Sequence, residues 1–136
     1  DELQSLLDVN VKAPQRLIRA AWPHLVETGR GRVVTIVSLS GKRVKSASIG
    51  SYAVSKFAAL ALTHAVRHAG WEHGIRATAI CPGFVATDMV VGLTPRVPET
   101  LTQPDDVARL VVTALDLPNT ASVAELTVNC TLEESY

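Results

Sequence analysis

Apolar positions recur at helical spacing through the first part of the chain. Leu3, Leu6 and Leu7 are followed by Leu17, Ile18, Ala21 and Leu25, and the pattern stops at Gly29 and Gly31. The spacing predicts one helix from about residue 2 to 28. Residues 32–40, RVVTIVSLS, are β-branched and almost continuously apolar, which is how a strand covered on both faces reads. A loop, GKRVKSASIG, leads into a second helix over about 51–71. IRATAIC at 75–81 reads as another buried strand, stopped by Pro82-Gly83. ATDMVVGL suggests a short helix. Thr102-Gln103-Pro104-Asp105 has the form of a helix start, with Thr102 as capping hydroxyl, and that helix should run to about Leu117. SVAELTVNC, 122–130, alternates into a last strand.

The resulting order is αβαβαβ. Each crossover is ten residues or longer, so the strands are expected to be parallel, in an α/β fold with helices on both sheet faces. Ligands of such sheets lie beyond the carboxyl ends of the strands. Ser38, Ser40 and Gly41 occupy one such end, and Cys81, Pro82 and Gly83 the next.

Composition narrows the reading. The 136 residues suit one compact domain, and 47% apolar with 19% charged residues argues against disorder. Thirteen basic residues balance thirteen acidic ones, so nothing points to nucleic acid or an anionic membrane. No run of eighteen apolar residues is present to span a bilayer. Cys81 and Cys130 lie in apolar segments and read as reduced thiols of a cytoplasmic protein.

Within the second helix, Tyr52 and Lys56 are four residues apart and share one face. A phenol is a poor base at neutrality, and an ammonium about 5 Å away favours the phenolate by about 3 kcal/mol at an effective dielectric of about 20. Such a pair suits general acid–base work. Ser38 stands fourteen residues before Tyr52 at a strand end, and Asn10 twenty-eight residues before Ser38 in the first helix.

These residues, carried in DVNVKAP, GRVVTIVSLSG, SYAVSKFA, GIRATAICPGFVATDM and TQPDDVARLVV, resemble the short-chain dehydrogenase/reductase family in its short single-domain form. The likeness runs from about residue 8 to the end. It implies a Rossmann-type doubly wound parallel sheet. It also implies hydride transfer between NAD or NADP and a small-molecule carbonyl or alcohol substrate. By the resemblance, Tyr52 is the general acid or base, and Lys56 supports it and bonds the nicotinamide ribose. Ser38 holds the substrate oxygen. Asn10 kinks the first helix and offers its carbonyl to a water that relays protons to Lys56. Pro82, Gly83, Val85 and Thr87 match the segment lining the nicotinamide. Ser40 is a second candidate for the serine role; Ser38 is preferred because Gly41 follows it by three, as in the family. Val37 departs from the small residue usual there. For Thr87, a helix-capping role is an equal alternative.

The Asn10 role also has a local argument. Pro14, four residues on, has no N–H to donate to the Asn10 carbonyl.

A glycine-rich turn after a strand, needed to cradle a pyrophosphate, is not among these residues; Gly29-Arg30-Gly31 precedes a strand. In the family that turn and four strands come earlier. The chain therefore looks like the C-terminal half, 1–136, of one larger domain. A non-catalytic half-length fragment that keeps the fold and the oligomer face is the alternative. Helix 51–71 is apolar on nearly all sides, and the resemblance pairs it with helix 2–28 across a two-fold axis, so a homo-oligomer is expected. His64, His68 and His73 are expected to be solvated or interface side chains, with no metal site. Lys42, Arg43 and Lys45 read as a solvated loop or, more sharply, as contacts for an anion. Trp22 and Trp71 are expected to pack.

Overall fold

The computed structural model describes all residues 1–136. Its elements are α1 (Glu2–Leu7), α2 (Ala13–Glu27), β1 (Arg32–Ile36), α3 (Gly50–Gly70), β2 (Arg76–Pro82), α4 (Pro104–Asp116) and β3 (Glu125–Val128). The strands form one parallel sheet in the order β1-β2-β3. Arg32 is opposite Arg76, and Ala79 is opposite Glu125. This is the α/β arrangement expected, three parallel strands with flanking helices.

The first helix departs from a plain α-helix. Between α1 and α2 lies a π-helical turn, Asp8–Lys12, in which the Ala13 N–H reaches back five residues to the Asp8 carbonyl. Pro14 has no N–H for Asn10, so one α-type bond cannot form there. The helix widens at that point, and Asn10 sits in the widened turn.

β1 ends four residues earlier than predicted. The Val37 N–H still bonds the Ile80 carbonyl at 2.7 Å, but Ser38 accepts from the Ser40 N–H and starts a tight turn, Leu39–Gly41. β3 is likewise shorter than 122–130. Thr102 does not cap α4. The N-cap position is Gln103, with no side-chain bond, and Thr102 instead bridges Val85, its carbonyl accepting from Ala86 N–H at 2.9 Å. The stretch at 86–93 forms only a three-residue 3-10 turn, Asp88–Val90.

α3 reverses the usual order of sizes. Small residues, Ala53, Ser55, Ala59, Thr63 and Gly70, face inward and let the helix lie close to β2. Val37, Ala59, Ala79 and Cys81 form the centre of that packing. The larger apolar residues Val54 and Phe57 are 52% and 43% exposed, so the apolar surface noticed in sequence is largely uncovered.

Candidate active site

Tyr52 and Lys56 come from the first turns of α3. The Lys56 ammonium lies 5.6 Å from the centre of the Tyr52 ring. Its one hydrogen bond is long, 3.4 Å, to the Ile36 carbonyl at the end of β1. Burial lowers the Lys56 pKa below the ordinary lysine range, partly opposed by Cys81. Cys81 itself is fully buried, and burial pushes its thiol up, while a bond from the Ser38 backbone works against this.

Ser38 reaches the same place from β1. The turn it caps packs on α3. The approach is so close that a Cβ added at Gly41 would stand 2.8 Å from the Lys56 carbonyl and 2.7 Å from Val37 Cγ1. Only glycine admits that contact. Ser40 lies inside the turn that Ser38 caps.

Asn10 is joined to the same helix. Its Nδ2 donates to Ser55 Oγ at 3.0 Å, and Ser55 Oγ donates to the Tyr52 carbonyl at 2.8 Å. Ser55 is 0% exposed. Sequence reasoning passed over Ser55, although a hydroxyl three residues after Tyr52 on the small-residue face was a visible signal.

Pro82 ends β2, and the Gly83 N–H bonds the Val128 carbonyl at 2.8 Å. Val85 pairs with Thr102. Thr87 occupies an N-cap position but caps nothing; its hydroxyl turns back to the Val85 carbonyl at 3.4 Å. A cleft of about 410 Å³ opens beside this segment, with Thr87, Asp88, Thr94 and Arg96 among its lining. Thus Asn10, Ser38, Tyr52 and Lys56 converge on the start of α3, and Pro82–Thr87 leave the neighbouring strand end.

The basic loop is exposed from Val44 to Ser48, as expected of a solvated loop, but its three cations are already paired with carboxylates. Lys42 pairs with Glu125, Arg43 holds Glu133 through Nε at 3.1 Å and Nη2 at 2.8 Å, and Lys45 reaches Glu133 at 2.9 Å. His64 is also engaged: Nε2 lies 2.8 Å from Glu125 Oε2, and Nδ1 lies 3.0 Å from an Arg67 nitrogen. Since the guanidinium can only donate, Nδ1 accepts and Nε2 carries the proton. The carboxylate partners are 61 to 90 residues away in sequence, which is why local reading missed them. No group of three His, Cys, Asp or Glu could hold a metal. Trp71 is 44% exposed, and its ring is covered by the Arg76 guanidinium at 3.7 Å.

A parallel sheet with flanking helices and polar side chains beyond the carboxyl ends of its strands is the layout in which open α/β folds bind their ligands. The family model for short chain dehydrogenases matches residues 1–97, and the chain belongs to that family. It is 43% identical over 128 residues to an agropine synthesis reductase of Rhizobium rhizogenes, covering 94% of this chain and 30% of the relative. An uncharacterised oxidoreductase of Staphylococcus aureus is 34% identical, with 94% of this chain and 54% of that protein covered. The crystal structure of an alcohol dehydrogenase from the archaeon Thermococcus sibiricus, complexed with 5-hydroxy-NADP, superposes with a TM-score of 0.81 at 26% identity, over 98% of this chain and 56% of that one. The fold is the Rossmann type of these structures. The chain spans between about a third and just over half the length of these relatives.

The family implies a nicotinamide dinucleotide. The residues present fit its nicotinamide end: the Lys56 ammonium has donors to spare beyond its one long contact, and Thr87 lines an open cleft. A pyrophosphate cradle is not supplied by these residues, because neither β1 nor β2 is followed by a glycine-rich turn.

Proposed function

We propose that this chain is the C-terminal, catalytic part of an NAD(P)-dependent oxidoreductase acting on a small-molecule carbonyl or alcohol substrate. The observation that carries the reading is the Tyr52–Lys56 pair, 5.6 Å from ammonium to ring centre, on a helix packed against the turn of Ser38. Bound at this site, the nicotinamide supplies or accepts a hydride. The chain's own residues handle the proton and the charge. Tyr52 gives its hydroxyl proton to the carbonyl oxygen, or takes one from the alcohol. Lys56 stabilises the phenolate that results and has donors left for the ribose hydroxyls. Ser38 donates a hydrogen bond to the substrate oxygen as it gains charge. Asn10 holds the first turn of α3 through Ser55 and leaves its carbonyl for a water that returns protons to Lys56. Pro82, Gly83, Val85 and Thr87 line the nicotinamide.

The sheet supports placing 1–136 within a larger domain. β1 pairs only with β2, so its other edge is open, and Ile36 at its end is 45% exposed. Further strands of the same sheet would cover it. Exposed Leu17, Val54 and Phe57 on α2 and α3, and a groove between Trp22 and Leu62, support a homo-oligomer through helices 2–28 and 51–71. Light scattering at micromolar concentration tests that part, and a monomer there refutes it.

The activity is tested by turnover with NADH and NADPH across a panel of aldehydes, ketones and alcohols. Tyr52→Phe should lower kcat by about 10²–10⁴-fold; full turnover in that variant refutes the mechanism. No turnover and no cofactor fluorescence change in the wild type would favour a non-catalytic fragment.

A further inference from the structure

The loop that leaves Ser38 is held by carboxylates from the far end of the chain. The Ser38 turn closes at Arg43: the N–H groups of Gly41, Lys42 and Arg43 bond the carbonyls of Ser38, Leu39 and Leu39 at 2.9, 2.9 and 3.1 Å. Arg43 is then gripped bidentately by Glu133, the fork-to-carboxylate geometry that fixes orientation as well as distance. Lys45, two residues on, takes a Glu133 oxygen as well. Although only Glu134, Ser135 and Tyr136 follow it, the Glu133 side chain is only 4% exposed. The two cations hold the carboxyl pKa down to about 2, the Arg43 bond being the larger cause and Lys45 the next.

The same segment touches the other strand end. Asn129 Nδ2 donates to Glu133 Oε2 at 3.4 Å. Its Oδ1 stands 2.3 Å from where a Cβ on Gly83 would be. Residues 129–133 therefore span from the Pro82-Gly83 turn to the loop after Ser38.

We propose that Glu133 is a positioning residue: by clamping Arg43 and Lys45 while Asn129 abuts Gly83, it fixes the Ser38 turn relative to the strand end that lines the nicotinamide. The role rests on the oxidoreductase reading, but the clamp itself does not. A surface ion pair adds little stability; this one is shielded, bidentate and shared, so its effect falls on the geometry of the turn.

Hydrogen exchange on the full 136-residue chain reads the clamp directly. In Glu133→Gln, and in Arg43→Gln from the opposite side, the amides of residues 41–43 should exchange about tenfold faster, while those of β2 keep their rates. Unchanged exchange at 41–43, or an increase spread equally over β2 and α3, overturns the proposal. Where turnover is measurable, Glu133→Gln should lower kcat about tenfold with substrate KM within about twofold, and Glu133→Asp should recover part of the loss. An unaltered kcat also overturns it. If no preparation turns over, that result counts against the oxidoreductase reading, and exchange alone decides the clamp.

Discussion

Gly41 and Lys56 touch backbone to backbone: a Cβ on Gly41 would lie 2.8 Å from the Lys56 carbonyl oxygen. This contact seats the turn that carries Ser38 on the helix that carries Tyr52 and Lys56. Gly41 and Lys56 are fifteen positions apart in sequence, yet the turn and the helix pack directly on one another.

Gly41→Ala should therefore act on stability and site together. The new methyl meets the backbone and the buried Val37 side chain, neither of which can yield cheaply. A loss of about 1–3 kcal/mol is expected by urea denaturation, with a fall in kcat larger than any change in substrate KM. A variant as stable as wild type would show that the turn relaxes freely.

Lys56 should show a conflict between stability and function. Burial of its ammonium is what lowers its pKa, so the unfolded chain holds that proton more tightly than the folded one. The sign follows: the stability cost is fully present below the folded pKa and is relieved as pH rises towards the ordinary lysine value. Lys56→Met should raise stability by about 0.5–2 kcal/mol at pH 7 and remove most turnover. Thermal unfolding at pH 7 and pH 10 checks this, the gain being smaller at the higher pH.

Ser55 offers a test of the link between the widened first helix and Tyr52. Ser55→Ala removes the acceptor for Asn10 Nδ2 and the donor to the Tyr52 carbonyl. About 1–3 kcal/mol should be lost, since the site is buried and the Asn10 amide is left without its partner. Asn10→Ala made in the Ser55→Ala background should then cost little more, which a double-mutant cycle measures.

Glu133 predicts an acid dependence. Its folded pKa, about 2, is depressed below the ordinary carboxylate value. Its stabilisation is therefore complete above about pH 4.5 and fades as pH falls towards 2. Urea midpoints measured from pH 6 to pH 2 should fall more steeply for wild type than for Glu133→Gln.

Much of the site could be read from residue order. The helical repeat put Tyr52 and Lys56 on one face and the strand-end rule put Ser38 and Pro82-Gly83 at one edge, while their roles were implied by the family resemblance. Other features could not be read locally. The basic run 42–45 looks solvated until Glu125 and Glu133, 83 and 90 residues from their partners, fold onto it. His64 looks free until Arg67 and Glu125 take both ring nitrogens. Thr102 has every local mark of a cap, yet its backbone is drawn into pairing with Val85.

By itself, the sequence determined the element order, the parallel sheet, the family and the residues at the strand ends. The elements, the sheet and the strand ends follow from short-range periodicity and from hydrogen-bonding rules that hold for any chain, and the family follows from the resemblance of its motifs to known members. Tertiary structure alone decided that the Asn10 amide meets Ser55, that Ser55 ties the Asn10 turn to Tyr52, and that Glu133 grips the loop after Ser38. Each depends on a charge or polar group meeting a partner distant in sequence. Such partners are chosen by how the strands and helices pack, and no local spacing encodes them.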